Sequence, residues 1–396
     1  MGKLNDTIGE YAKKDPVRFH MPGHKGKNIN GLDYSLDITE LFFTDNLYHP
    51  DDQINLINSL EKRISKCFFT NPGIDSLISC SGATLCIQTS ILALLKLKQA
   101  KPNRKLFIIC DRTSHISFVN IIFLLNITPL WIAPNENFEE KINYFAQNQD
   151  NRDIIGVFAT SPDYYGQMKN IESVSQICKN YSFSLVVDNS HGSHLAFYKN
   201  GILHPINCGA DLSIDSIHKT LPVLTGAAVL HANKNFCGQK TVLKNSMNVF
   251  ATTSPSFLIL QSIENMVDIL EKNGAEEHER LINDINLFKQ KAASLNFIFK
   301  TDRFFDPYRI VLNCENSGEK LYYFLVEKNI FCEFYNKDSV IILTSIANDS
   351  NDFHQLFNAL RDFAKQNQII PAKSKDIAYP PGVPVVLPGE IINGKI

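Results

Sequence analysis

The stretch Leu212-Ser213-Ile214-Asp215-Ser216-Ile217-His218-Lys219-Thr220 joins a short apolar run to a lysine. A short run without regular polar alternation is typical of a strand buried on both faces of a parallel sheet. The residues that follow, 221–226, are largely apolar, so we expect Lys219 to be partly shielded from water. A partly desolvated amine loses its charge more easily and becomes a better nucleophile. A lysine by itself is more often a solvated surface residue, so a functional role for Lys219 depends on the residues around it.

A second apolar run, Ser184–Val187, ends at Asp188 and is followed by His191 and His194. An aspartate in that position is by itself most often a helix cap. Taken with Lys219, however, it matches what pyridoxal phosphate (PLP) needs from a protein: an amine for a Schiff base and a carboxylate for the ring nitrogen. The two histidines also allow a metal site, but zinc requires further ligands at recognisable spacing, which the sequence lacks, so we predict no metal.

Groups that can bind the phosphate and the ring of this cofactor occur at three places. Ser216 and His218 can each donate to a phosphate. Ala83 and Thr84 lie between a predicted strand and a predicted helix, where free backbone amides form an anion site. His115 follows another predicted strand, and at the carboxyl end of a doubly wound sheet it can stack on a cofactor ring. Each of these signals is weak alone, because a strand-to-helix turn or a core histidine looks the same.

The apolar runs predict an α/β fold with a doubly wound, mostly parallel sheet, because helical patterns at Thr84–Leu97 and Ile171–Asn180 alternate with them. The six predicted strands are Leu77–Cys80, Leu106–Cys110, Pro129–Ala133, Ile154–Thr160, Ser184–Val187 and Leu212–Ile214.

After residue 255 the pattern changes to long helices, at Phe257–Asn273 and Glu276–Leu295, with short strands at Tyr308–Leu312 and Val340–Thr344 and a helix at Asp352–Gln366. That pattern predicts a smaller α+β domain. The predicted domain bounds are an N-terminal segment 1–50, a PLP-binding large α/β domain 51–260, a small α+β domain 261–370 and a proline-rich segment 371–396.

The composition limits the possible partners. A net charge of −2 over 396 residues gives no electrostatic reason to expect nucleic acid or an anionic membrane as a partner. The nine cysteines show no paired spacing, which favours reduced thiols. The N-terminus has no apolar signal segment, and no apolar stretch is long enough to span a bilayer. We therefore expect a cytoplasmic protein that acts on a small molecule.

Seven segments, in order along the chain, resemble the Orn/Lys/Arg decarboxylases, PLP enzymes of fold type I, the aminotransferase-like fold. They are Phe19–Gly26, Asp37–Glu40, Thr160–Gly166, Asp188–His194, Ser216–Thr225, Thr252–Ser256 and Tyr379–Glu390. The resemblance implies decarboxylation of a basic amino acid (lysine, ornithine or arginine) to an amine and carbon dioxide, with a place in polyamine biosynthesis. It also implies a homodimer or a dimer-based oligomer.

The resemblance also assigns roles to residues. Lys219 would carry the cofactor, Asp188 would pair with the ring nitrogen, and His191 would lie near both. His115 would stack on the ring. The phosphate would be held by Ala83, Thr84, Ser216 and His218, with Thr252 or Ser254 given by a partner subunit.

Several positions depart from the family pattern, among them the phosphate loop, where Ser81-Gly82-Ala83-Thr84-Leu85-Cys86-Ile87 replaces Asn-Gly-Ser-Thr-x-Gly-Asn. Asn189 and Ser190 replace the usual Glu and Ala after the ring aspartate, Asp163 replaces a Thr, and Ile116 replaces the Lys that commonly follows the ring-stacking histidine. Asp163 could meet a substrate cation or could sit in a solvated turn. The chain also stops near the point where family members usually continue into a further C-terminal domain, so we expect a short form.

These departures keep two other functions open. One is a different reaction on the same cofactor, such as that of an aminotransferase, a racemase or a lyase. The other is a PLP-binding protein with little catalysis. The visible spectrum separates the PLP proteins from others, and an amino-acid panel separates the reactions.

Overall fold

The computed structural model describes residues 3–14, 16–29, 31, 33–38, 55–98, 105–148, 153–300, 302–367, 369–370 and 382–384. The family-like segments Asp37–Glu40 and Tyr379–Glu390 therefore lie partly outside the described residues. The chain divides into two units, one of residues 1–160 with 171–274 and the other of residues 161–170 with 275–396. The domain bounds given above stay a prediction.

The first unit contains a seven-stranded sheet in the order β1-β7-β6-β5-β4-β2-β3. Its strands are β1 (Asp75–Ser79), β2 (Leu106–Asp111), β3 (Thr128–Ile132), β4 (Asp153–Thr160), β5 (Ser184–Asp188), β6 (Leu212–Asp215) and β7 (Ala228–Ala232). The six predicted runs are all strands, which confirms the mostly parallel α/β sheet. The seventh, β7, was not predicted; it runs antiparallel between β1 and β6.

The strand directions place the carboxyl ends of β1 to β6 on one side of the sheet. β2 to β6 pair in parallel, and β1 has the same direction because it and β6 are both antiparallel to β7. All of these strands therefore end on one side of the sheet, the carboxyl edge, where ligands bind in open α/β sheets.

Helices flank the strands of this unit. They are α1 (Lys3–Lys13), α2 (Leu56–Phe68), α3 (Gly82–Leu97), α4 (Ile116–Leu124), α5 (Phe138–Gln147), α6 (Ile171–Asn180), α7 (Lys234–Cys237), α8 (Lys240–Phe250) and the first part of α9 (Phe257–Ala293).

The sheet is buried on both faces. Val186 of β5 packs into one apolar cluster, with Ile91 of α3, and Leu185 and Val187 pack into a second cluster, with Val174 of α6. Since both faces need apolar side chains, the strand shows no polar alternation, which is why these runs were recognisable in the sequence.

The second unit carries a small antiparallel sheet in the order β8-β10-β9. Its elements are the last part of α9, β8 (Ile310–Asn313), α10 (Gly318–Glu327), β9 (Phe334–Tyr335), β10 (Ser339–Ile342) and α11 (Ser350–Gln366). The two predicted long helices make up α9, which is interrupted at Asn273, where φ and ψ of −147° and 19° are not helical. None of the helices in the described ranges combines the length and the apolar composition needed to cross a membrane.

Candidate active site

The carboxyl edge gathers the side chains that the sequence singled out. β5 ends at Asp188, and β6 ends at Asp215, four residues before Lys219. β2 ends at Asp111, four residues before His115. Because these strands are parallel and close in the sheet, their ends place an amine, a carboxylate and an imidazole on the same side.

Lys219 and His191 are in direct contact. Lys219 closes a single 3-10 turn after β6, and His191 lies in the loop after β5. The Lys219 Nζ atom lies 3.0 Å from His191 Nε2, and both side chains are partly buried. An amine and an imidazole at this distance share a hydrogen bond, so a proton can pass between them.

Asp188 is buried, with 4% of its surface exposed. Its carboxylate accepts two hydrogen bonds from Ser190. The Ser190 N–H donates to Asp188 Oδ1 over 3.1 Å, and the Ser190 hydroxyl donates to the same oxygen over 2.5 Å. Hydrogen bonds of this kind stabilise a charged carboxylate at a site with little water.

His115 lies within electrostatic reach of both groups. It caps the N-terminus of α4, where its Nδ1 accepts from the Ser117 N–H over 3.2 Å. Burial lowers the pKa of His115, the negative charge of Asp188 raises it, and the positive charge of Lys219 lowers it. The predicted cofactor residues Asp188, Lys219 and His115 thus come together, whereas Ile116 points outward and is exposed.

Ser216 and His218 lie on the same turn as Lys219. The His218 Nδ1 atom is 2.9 Å from the Ala227 carbonyl oxygen and 3.3 Å from Ser216 Oγ. Since a carbonyl only accepts, Nδ1 carries the proton, and the neutral ring presents Nε2 as an acceptor. His218 therefore donates to a phosphate only as an imidazolium, which restricts the predicted role.

The N-terminus of α3 supplies the predicted anion site. Gly82 has φ of +70°, and its N–H donates to the Gly226 carbonyl over 2.8 Å. A positive φ favours glycine, and here it turns the chain from β1 into the helix. Ala83 and Thr84 follow in the first helical turn, with the Thr84 side chain exposed.

Thr252 and Ser254 lie elsewhere, in the exposed link between α8 and α9. Thr252 Oγ1 accepts from the Ser254 N–H over 3.1 Å, so the two residues form a local turn. Their predicted role through a partner subunit stays a prediction.

A buried cluster around Asp215, next to this site, has no recognisable signal in the sequence. Asp215 Oδ1 accepts from Asn189 Nδ2 and from the Ser213 hydroxyl, each over 2.9 Å. Asp215 Oδ2 lies 3.0 Å from His204 Nε2 and 3.8 Å from His231 Nε2. Burial raises the pKa of Asp215, but the two histidines and Asn189 outweigh it and leave the value lowered.

His204, Asp215 and His231 have the composition of a metal site, but their hydrogen bonds describe a network instead. The Ile206 N–H donates to His204 Nδ1 over 3.3 Å, so that nitrogen has no proton and Nε2 carries it. A protonated Nε2 donates to Asp215 and is not available as a ligand. The cluster therefore binds the end of β6 to the residue after Asp188.

Asp163, in the second unit, forms a local turn. Its Oδ1 accepts from the backbone N–H groups of Tyr165 and Gln167, over 2.9 and 2.8 Å. Burial raises the pKa of Asp163, and the hydrogen bond from Gln167 lowers it. Of the two interpretations of this departure, the observed contacts match a turn, although a partly buried one.

The described side chains fit pyridoxal phosphate. A partly buried amine contacts an imidazole, a buried carboxylate lies at the end of a neighbouring strand, and a helix N-terminus opens at the same edge. An amine, a carboxylate and an anion site are the groups that this cofactor requires.

Comparison with known proteins agrees with this arrangement. Residues 3–312 match the family described as Orn/Lys/Arg decarboxylase, major domain. The chain is 24% identical to arginine decarboxylase from Bacillus anthracis, in an alignment that covers 98% of this chain and 90% of that protein. It is 22% identical to arginine decarboxylase from Bacillus subtilis, with 98% and 91% covered.

Among solved structures, the E. coli constitutive lysine decarboxylase matches with a TM-score of 0.72 at 17% identity, over 92% of this chain. The match covers 61% of that enzyme, so this chain spans about three fifths of its length. At this identity the likeness concerns the fold, which is that of a PLP enzyme of fold type I.

Proposed function

The chain belongs to the Orn/Lys/Arg decarboxylase family, and on that premise we propose that it removes the α-carboxylate of a basic amino acid as carbon dioxide, with PLP as its cofactor. The observation that carries the proposal is the pair Lys219 and His191, 3.0 Å apart, at the sheet edge where Asp188 ends the neighbouring strand.

Each side chain at the carboxyl edge receives a role under this proposal. Lys219 would form the covalent link to the cofactor, and Asp188 would pair with the ring nitrogen. His115 would contact the ring. Ala83, Thr84 and Ser216 would hold the phosphate, with His218 when its ring is doubly protonated.

Bound PLP supplies an electron sink for the electron pair that remains when the carboxylate leaves. The protein then has to return a proton to the α-carbon. Lys219 Nζ and His191 Nε2 share a hydrogen bond, so either atom can hold this proton and the other can replace it. The two hydrogen bonds from Ser190 hold the Asp188 carboxylate in place at the end of its strand, where it would pair with the ring nitrogen.

We propose arginine as the substrate to test first. The two relatives reported above, which align over 98% of this chain, are named arginine decarboxylases. The lysine decarboxylase fold match keeps lysine, and with it ornithine, in the panel.

The visible spectrum of the purified full chain with added PLP tests cofactor binding. We expect a lysine-bound absorbance band that Lys219→Ala abolishes, and a protein that stays colourless with PLP would contradict the proposal. A panel of arginine, lysine and ornithine, read by carbon dioxide and amine, tests the reaction. Release of keto acid without carbon dioxide would identify an aminotransferase instead.

We also propose a homodimer in the cytoplasm, with Thr252 or Ser254 contributed to the partner's site. The unpaired spacing of the nine cysteines supports a reducing compartment. Light scattering of the loaded protein tests the dimer. If Thr252→Ala and Ser254→Ala both leave PLP affinity unchanged, the contribution across subunits is wrong.

A further inference from the structure

Ser190, two positions after Asp188, binds the Asp188 carboxylate directly. Ser190 is buried, with 7% of its surface exposed, and its hydroxyl and its N–H both donate to Asp188 Oδ1. The hydroxyl contact, at 2.5 Å, is in the range of short O–H···O⁻ bonds to a charged acceptor. Oδ1 is thus already bound by two donors of one residue.

A hydrogen bond to a carboxylate stabilises its charged form and makes it a weaker proton acceptor. The pairing with the cofactor ring consists of one proton between the ring nitrogen and this carboxylate. Since Oδ1 is bound by Ser190, the pairing falls to Oδ2, and the strength of Asp188 as an acceptor depends on the serine hydroxyl.

We propose that Ser190 is a positioning residue that sets how strongly Asp188 holds the proton of the cofactor ring nitrogen, by binding Asp188 Oδ1 through its hydroxyl. This inference rests on the proposed function, because it requires PLP to be bound beside Asp188. Because a weaker carboxylate acceptor leaves the shared proton on the ring nitrogen, it predicts that the ring is a better electron sink with the hydroxyl present than without it.

The test is the ¹⁵N chemical shift of the ring nitrogen, measured by NMR on the full chain loaded with PLP labelled at that atom. In Ser190→Ala the carboxylate is a stronger proton acceptor, so we expect the midpoint of the pH titration of this shift to rise by roughly one pH unit, since a hydrogen bond to a charged group is worth about that much or more. At low pH, where the pair holds its proton, the shift itself should move toward the unprotonated value, because the proton lies closer to Asp188. An unchanged midpoint, or a lower one, overturns the proposal.

Two matched variants distinguish the effect of the Ser190 hydroxyl from general effects of a substitution in this loop. Ser190→Thr keeps the donor and should titrate like the unaltered protein. Ser193→Ala removes a hydroxyl from the same loop that is fully buried and makes no hydrogen bond within the described residues, and it should also leave the midpoint unchanged. If Ser193→Ala moves the midpoint as far as Ser190→Ala does, the effect belongs to the loop and the proposal fails.

A third variant covers the case in which Ser190→Ala does not load PLP. Ser190→Cys replaces the hydroxyl by a weak S–H donor and should raise the midpoint by a smaller amount. No rise in that variant overturns the proposal. The proposed function fails separately, if the unaltered protein gives no signal from bound PLP.

Discussion

Lys219 Nζ and His191 Nε2 lie 3.0 Å apart although 28 positions separate them in the sequence. Parallel pairing of β5 with β6 creates this contact, because each residue lies just beyond the end of its own strand. Amine and imidazole can therefore act as one proton-transfer pair, and the first prediction tests which part of the reaction depends on it.

His191→Gln should lower kcat for the amino-acid substrate by about 10²–10⁴-fold, because glutamine keeps a polar contact with Lys219 but cannot carry a proton. KM should change little, and the lysine-bound PLP band should remain. Steady-state kinetics with arginine, beside the visible spectrum, measures all three. Unchanged kcat in a fully loaded variant would exclude His191 from proton transfer.

Thr84→Ala should weaken PLP binding about tenfold or more, since one hydrogen bond to a charged phosphate is lost. Thr84 lies in the first turn of α3 with an exposed side chain, so its loss should leave the fold intact. Titration of the PLP-free protein gives Kd. The matched variant Thr84→Ser keeps the hydroxyl and should bind normally; equal weakening in both variants would argue against a role for that hydroxyl.

The pH dependence of stability should reflect His231. Burial lowers the pKa of His231 to about 3, whereas an unfolded histidine titrates near its ordinary value of 6.5. Between these values the unfolded chain binds the extra proton, so stability falls as the pH falls, by up to about 1.4 kcal/mol per pH unit. In His231→Gln this slope should be shallower by about that amount.

Urea unfolding at several pH values between 4.5 and 6.5 measures the slope. His354→Gln is the control, because His354 is exposed on α11. Equal slopes of stability against pH for the unaltered protein and His231→Gln would show that the burial of His231 does not cause this pH dependence.

The fold was largely predictable because burial on both faces leaves a local signal. Leu185, Val186 and Val187 are apolar in succession since each faces a core cluster, and runs of this kind located six strands. β7 was missed because Ala228–Ala232 is rich in alanine and includes His231, and alanine is depleted in strands.

The site was predictable only in part. Lys219, Asp188 and His115 follow strand ends, a position that marks ligand sites in parallel sheets. The bond from Ser190 to Asp188 and the cluster around Asp215 left no such signal. His204 and His231 reach Asp215 through the pairing of β6 with β7 and a loop, and no periodicity in the sequence records those contacts.

The last prediction concerns the bond between Asp215 and Asn189. Asp215→Asn removes a fully buried charge that accepts from Asn189, Ser213 and His204, and it should destabilise the protein by about 2–3 kcal/mol, the usual range for hydrogen bonds to a buried charge. Thermal or urea unfolding of the PLP-free protein measures this loss independently of activity.

Adding Asn189→Asp to that variant should recover most of the stability. In the double variant the new amide at position 215 donates to the carboxylate at 189, and its oxygen still accepts from His204 Nε2. Position 189 is acidic in the usual family pattern, so a carboxylate beside Asp188 is compatible with the site. Asn189→Asp alone should be destabilising, because it places two carboxylates face to face in a dry environment. If the two changes are simply additive, the pair does not interact, and the bond between the loop after Asp188 and the strand that leads to Lys219 is not what stabilises this edge of the sheet.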